Sequence, residues 1–175
     1  MSDTEQNYLW EKRHSILYRI ELSVLYHQKR ERFFEVCDKL AKAVAVIGGS
    51  AAFASFAGEN GVKTIAAIIT VSSTIALVFS LSDRSRRHAG LSRDFRQLES
   101  EIVGRGERDF TEDDIKMWDA KTRLLETDEP AALGALVTLC QNELAIATGN
   151  AGRVVRVPLY QRLLAHFFNF TPRPA

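Results

Sequence analysis

Cysteine is scarce in this chain: only Cys37 and Cys140 occur among 175 residues. They have neither metal-site nor redox spacing, so reduced thiols in a cytosolic compartment are the default. An excess of charge of either sign is also missing. Lys and Arg number 23 against 22 Asp and Glu, a net charge of +1, so no overall field favours nucleic acid as a partner. Residues 1–15 (MSDTEQNYLWEKRHS) are polar and hold none of the early apolar core that a secretory leader needs. There is no internal repeat and no low-complexity tract. No convincing strand appears, apart from a short extended piece at residues 154–157. Neither proline nor glycine occurs before Gly48, so nothing there interrupts a helix.

The chain does have two apolar runs almost back to back, residues 41–57 and 64–81, separated by Gly58, Glu59, Asn60, Gly61, Val62 and Lys63. The first carries one charge, Lys42 at its edge, and the second none. As helices they would each be about 26 Å long, close to the roughly 30 Å hydrocarbon core of a bilayer. Lys29, Arg30, Arg32, Lys39 and Lys42 precede the first run, and Arg84, Arg86, Arg87 and Arg93 follow the second. Only Lys63 is basic in the connection, and it can snorkel to the interface. The bias places both termini in the cytoplasm, with Lys39, Lys42, Arg84, Arg86 and Arg87 as the main topology-setting residues. A soluble all-α protein with a buried helical hairpin is the alternative. Against it stands the lack of a polar face in either run. The polar groups there are hydroxyls, which can bond back to their own helix, whereas charges cannot be silenced that way.

The rest reads as helix. Residues 4–40 form an amphipathic helix with Leu9, Leu17, Ile20 and Val24 on one stripe and Phe34 further along it. Beyond the second run, Leu91, Phe95, Leu98 and Ile102 recur at heptad-like spacing, making a stem seam on a helix that extends to about Val103. Gly104-Arg105-Gly106 stops it. Thr111 caps the next helix with Asp114 three residues on, Phe110 and Ile115 forming a staple. Asp128 and Pro130 are expected to open another helix, which Gly149 closes, and Pro158 opens a last one to about Phe168. The fold class is therefore all-α: a two-span transmembrane hairpin with a long cytoplasmic helical stem and C-terminal helices. The domain reading is 1–150, followed by a C-terminal amphipathic tail, 151–175.

Chemistry-bearing patterns are weak. Glu126, Asp128 and Glu129 read as acidic groups complementing a helix start. Cys140 has no histidine placed to activate it, and reads as buried and structural. His27 and His88 sit among basic residues that repel cations, and read as solvated. Gly48-Gly49-Ser50 lacks the Lys-Ser/Thr of a phosphate loop. No catalytic residue, metal or cofactor is expected. Small residues are more telling: Ala45 with Gly49 and Gly48 with Ala52 make small-xxx-small pairs that let helices approach closely in lipid. Such packing serves either oligomerisation, as around a pore, or the partner span of the same chain. Ser50, Thr70, Ser73 and Thr74 are the candidate pore-lining hydroxyls.

The layout resembles the SLATT family, the SMODS- and SLOG-associating two-transmembrane effector domains of bacteria. The resemblance is carried by Tyr26-His27-Gln28-Lys29-Arg30 before the first run and by Arg86-Arg87-His88 with Leu91, Phe95, Leu98 and Glu99 after the second. Asp128-Glu129-Pro130 and Leu139-Cys140-Gln141-Asn142-Glu143-Leu144 are similar to the tail of one subgroup. It covers about residues 5–150. It implies a homo-oligomeric, non-enzymatic effector of the bacterial inner membrane that perforates the bilayer in a conflict or anti-phage system. Its partners would be membrane lipids and a separate nucleotide-signalling sensor. A non-conducting membrane scaffold or adaptor is the rival within the same layout.

Overall fold

With no proline or glycine to break it, the first helix, α1, runs unbroken over Asp3–Gly48. It is followed by α2 (Ala51–Val78), α3 (Leu81–Gly104), α4 (Glu112–Thr127), α5 (Gly134–Ala147), a 3-10 turn at Ala151–Arg153 and α6 (Leu159–Leu164). The computed structural model describes residues 3–107 and 109–170, except for the side chains of residues 3–4, 51–57 and 59. Every regular element among them is helical. The chain divides into two units: residues up to Gln28 with those from Ala89 onward, and Lys29–His88.

The first unit has an apolar core. From α1 come Leu9, Ile16, Ile20 and Val24, and from α3 come Phe95, Leu98 and Ile102. Phe110 and the α4 residues Ile115 and Trp118 complete it. Trp118, Phe95, Ile20 and Ile102 are fully buried, each stabilising by about 1.5–3 kcal/mol relative to exposure. The expected stripe on α1 is shifted: Ile16 is in the core, and Leu17 packs only at its edge. A second cluster joins Tyr26 of α1 to Ala135, Leu136 and Cys140 of α5 and to Ala165. The 151–170 segment thus packs within this unit.

Several helix ends follow the sequence. Thr111 and Asp114 form a reciprocal capping box at the start of α4, and Gly106 and Gly149 take the positive φ that ends α3 and α5. Others depart from it. Asp128 caps the C-terminus of α4, and α5 begins only at Gly134. Pro130 disfavours helical backbone at Glu129, and the free N–H groups at the start of α5 find distant partners. The Leu133 amide donates to the Tyr26 hydroxyl at 3.2 Å, and the Gly134 amide to Asn169 Oδ1 at 2.9 Å. The last helix stops at Leu164, not Phe168, because the chain turns there to bury Ala165 and bring Phe170 edge-on to Tyr160.

In the second unit the connection between the apolar runs is tighter than expected. Gly58 alone leaves helical geometry, at φ 63° and ψ 175°, and helix resumes at once. Only glycine takes that backbone without strain. The first run is broken at Gly49 and Ser50, between α1 and α2. The second meets a break at Ser80, whose φ of 45° is rare for a residue with a side chain. There Arg84 Nε donates to the exposed Phe79 carbonyl at 2.9 Å.

Candidate membrane-facing site

In the second unit most large apolar side chains of the two runs are exposed, and small residues of one helix meet Ile65 and Ile69 of the next. The half-buried positions of its first helix include Ala41, Ala45 and Gly48, and those of the following helix include Ile65, Ile69, Ser72 and Ala76. Both sets step by three and four, as one face of a helix does. Gly48 sits so close to that helix that an added Cβ would meet Ile65 Cγ2 and Ile69 Cδ1 at 2.8 Å each. The outward face carries Ile68, Val71, Ile75, Leu77, Val78 and Phe79, between 47% and 79% exposed. The helical stretch Asn60–Gly104 contains an 18-residue window of mean hydropathy 2.1, of which 0% is buried. Among the described residues, one helix is thus long and apolar enough to cross a membrane.

Of the four packing candidates, Ala45 and Gly48 lie on the half-buried face, and Gly49 is exposed in the helix break. Ala52 lies outside the residues whose side chains are described. Three of the hydroxyl candidates bond back to a nearby backbone carbonyl: Ser50 Oγ, in the helix break, to Ile47 at 2.9 Å, and, within their own helix, Thr70 Oγ1 to Ala66 at 2.8 Å and Thr74 Oγ1 to Thr70 at 2.7 Å. Such bonds make a hydroxyl tolerable in hydrocarbon. Thr70, Ser73 and Thr74 are exposed and share one stripe, away from Ile65, Ile69, Ser72 and Ala76.

At the other end of this unit Phe34 is a buried hub. Its ring stacks on His88 at 5.7 Å, with the Arg30 guanidinium 4.5 Å and the Arg84 guanidinium 6.0 Å from its centroid. Ser85 Oγ donates to the Glu31 carbonyl nearby at 3.3 Å. The topology-setting residues Lys39, Lys42, Arg84, Arg86 and Arg87 are all exposed. Lys39 pairs with Glu35, Lys42 with Asp38 and Arg86 with Asp83, each within one helical turn.

Polar residues tie the first unit together, and the sequence pattern missed most of them. Arg19 reaches from α1 to Glu126 at 2.6 Å and Asp119 at 2.8 Å on α4. Burial works against its charge, but those two carboxylates outweigh it and leave its pKa above the ordinary value. Hydrogen bonds from Arg123 and then Arg19 hold Asp119 below the usual carboxylate range. Burial, with the Glu99 charge, pushes Glu21 up, against the pull of His14 and Arg96. Arg13, on the buried face of α1, donates to the Ile102 carbonyl in the last turn of α3 at 3.3 Å and lies over the Phe110 ring. The expectation of solvated histidines is overturned. His27 is 0% and His88 4% exposed, His27 lying 3.0 Å from Glu129 Oε1 and stacked on Phe95. Glu126 and Glu129 therefore hold α1, and do not serve a helix start. The signal for these residues was positional: Arg13 and His27 fall at seam spacings from Ile16, Ile20 and Val24, where polar side chains look like solvent face.

The stem seam Leu91, Phe95, Leu98 and Ile102 is buried in the chain's own core. Cys140 is buried and reduced. Among the described residues no group of three or more His, Cys, Asp or Glu could hold a metal. No family model, curated protein or solved structure matches the chain.

Proposed function

We propose that this protein is a bacterial inner-membrane effector: its two apolar runs insert as a two-span hairpin with both termini cytoplasmic, self-associate, and permeabilise the bilayer when a separate sensor protein triggers them. The observation that carries the reading is the apolar helical window of mean hydropathy 2.1, none of whose residues is buried. In water such a surface is a liability, whereas in hydrocarbon it is the expected exterior. The seam of α3 is consumed by the chain's own core, and Gly48 by its own neighbouring helix, so neither is left for a second copy. Self-association falls to the outward stripe of Thr70, Ser73 and Thr74. The reading assigns no catalytic residue, metal or cofactor.

A second reading is a non-conducting scaffold. The hydroxyl bonds of Ser50, Thr70 and Thr74 to backbone carbonyls favour it, since a hydroxyl already bonded to its own backbone offers less to a passing ion. Ion flux from proteoliposomes holding the full chain and its candidate sensor separates the two. Flux reduced by Thr70→Leu and Thr74→Leu supports the effector. Stable oligomers that pass no ions under any trigger support the scaffold. Recovery of the full chain in the detergent-free soluble fraction of cells refutes both.

A further inference from the structure

The C-terminal segment is held against α5, yet it exposes a set of large apolar side chains. Asn142 grips the extended piece as a strand would: its Nδ2 donates to the Val155 carbonyl at 2.7 Å, and the Val155 amide donates to its Oδ1 at 2.8 Å. Asn169 holds the far end through the Gly134 amide, and Ala165 is fully buried between. Outward point Leu159, Leu163, Phe167 and Phe168, 58% to 77% exposed. Leu159, Leu163 and Phe167 step by four.

Residues 144–175 contain no Asp or Glu, but they include Arg153, Arg156, Arg162 and Arg173. The first three are exposed, and Arg162 borders Leu159 and Leu163 around the helix. Exposed apolar side chains with Arg162 among them, two more exposed arginines in the same segment and no acidic residue within the run are the features of a surface that lies in a headgroup layer. A protein groove would match the apolar face, but nothing about it requires a run of this length without acidic residues.

We infer that the Leu159–Phe168 face is a second, peripheral membrane contact that docks on anionic lipid. The inference rests on the proposed membrane location only in needing a bilayer at hand. The test uses the full chain with Phe167→Trp, reconstituted in phosphatidylcholine vesicles with or without phosphatidylglycerol and carrying brominated acyl chains; the wild-type signal of Trp10 and Trp118 is subtracted. The added tryptophan should be quenched in the anionic vesicles. Quenching should fall in neutral ones, and with Arg153→Gln, Arg156→Gln and Arg162→Gln, docking should weaken about fivefold per arginine at low ionic strength. No quenching in either vesicle, or quenching indifferent to phosphatidylglycerol, overturns it. A tryptophan shielded equally in detergent, in step with protein concentration, marks a protein contact and also overturns it. Alkaline extraction reports separately on the spans. If it releases the chain, flotation of the same variants with added vesicles still decides the surface contact.

Discussion

The two units of this protein solve opposite burial problems. In the first, Trp118, Phe95, Ile20 and Ile102 are shut away from solvent while Arg19, Lys121 and Arg123 hold ion pairs at the rim. In the second, Leu77, Val78, Ile68 and Val71 are exposed, and the close contact is made by Gly48. A helix that turns its small residues to Ile65 and Ile69 of its neighbour and leaves most of its large apolar side chains exposed buries little apolar surface. It gains from tight backbone approach. The difference teaches that apolar content alone does not mark a core, whereas which side chains stay exposed does.

The largest effects should come from exchanging the two logics. Trp118→Ala removes a fully buried ring and should cost about 3–5 kcal/mol, read by chemical unfolding of the first unit's tertiary signal in detergent. Val71→Asp changes a residue in the middle of the second apolar run that is 58% exposed. In a water-soluble protein that change would be nearly neutral. In a spanning helix it adds a penalty of about 3 kcal/mol near the bilayer centre, seen as lost membrane recovery. Equal soluble recovery of both variants would erase the contrast.

Gly48→Leu comes next. Its side chain would run into Ile65 and Ile69, and overpacking of this kind costs about 1–3 kcal/mol. Ala43→Leu, at an exposed position of the same helix, is the control. A Gly48-specific rise in proteolysis at Gly58, read by limited digestion, is the expected result. Equal sensitivity of the two variants would mean that the contact does not hold the unit.

How much of this was legible in the sequence follows the same divide. Helix existence, the Thr111–Asp114 cap, the Gly106 and Gly149 stops and the α3 seam could all be read, because each is set within a few residues by spacing or by a positive φ. Arg13, Arg19, His27 and Asn142 could not, since each gains its role from a partner between 13 and 107 positions away. The start of α5 was misplaced for the same reason. Its free amides are met by Tyr26 and Asn169, so no local capping residue marks it. In the second unit the small-residue pattern was visible, but which of Ala45, Gly48 and Gly49 faces the neighbouring helix depended on the break at Gly49 and Ser50.

The polar contacts of the first unit give the next prediction. Glu129→Ala removes the partner 3.0 Å from the buried His27 ring. Withdrawing a hydrogen bond from a buried polar group costs roughly 1–3 kcal/mol. The Glu129→Gln variant keeps an acceptor and should recover most of it. The readout is the unfolding midpoint of the first unit, together with the imidazole proton signals. If Ala and Gln behave alike, the contact contributes shape and not bonding.

The smallest effect is a change of sign with pH. Glu21 is raised above 4.5 by burial and by Glu99, so the folded state binds its proton more tightly than the unfolded state does. Stability is therefore lost as pH rises from the ordinary glutamate range through the raised folded value. Asp119 is depressed below 3.8, first by Arg123 and then by Arg19, and its contribution is lost in the other direction, as pH falls through that value. Glu21→Gln should then stabilise the protein at pH 7 by less than about 1 kcal/mol, because solvent screens a half-exposed carboxylate. The gain should vanish below pH 4.5, where the native carboxyl is protonated in both states. Asp119→Asn should destabilise at pH 7 and become neutral only in stronger acid. Unfolding curves of the two variants at several pH values check both signs. Matching pH profiles would show that neither carboxylate feels the rim charges, leaving the first unit held by its apolar core alone.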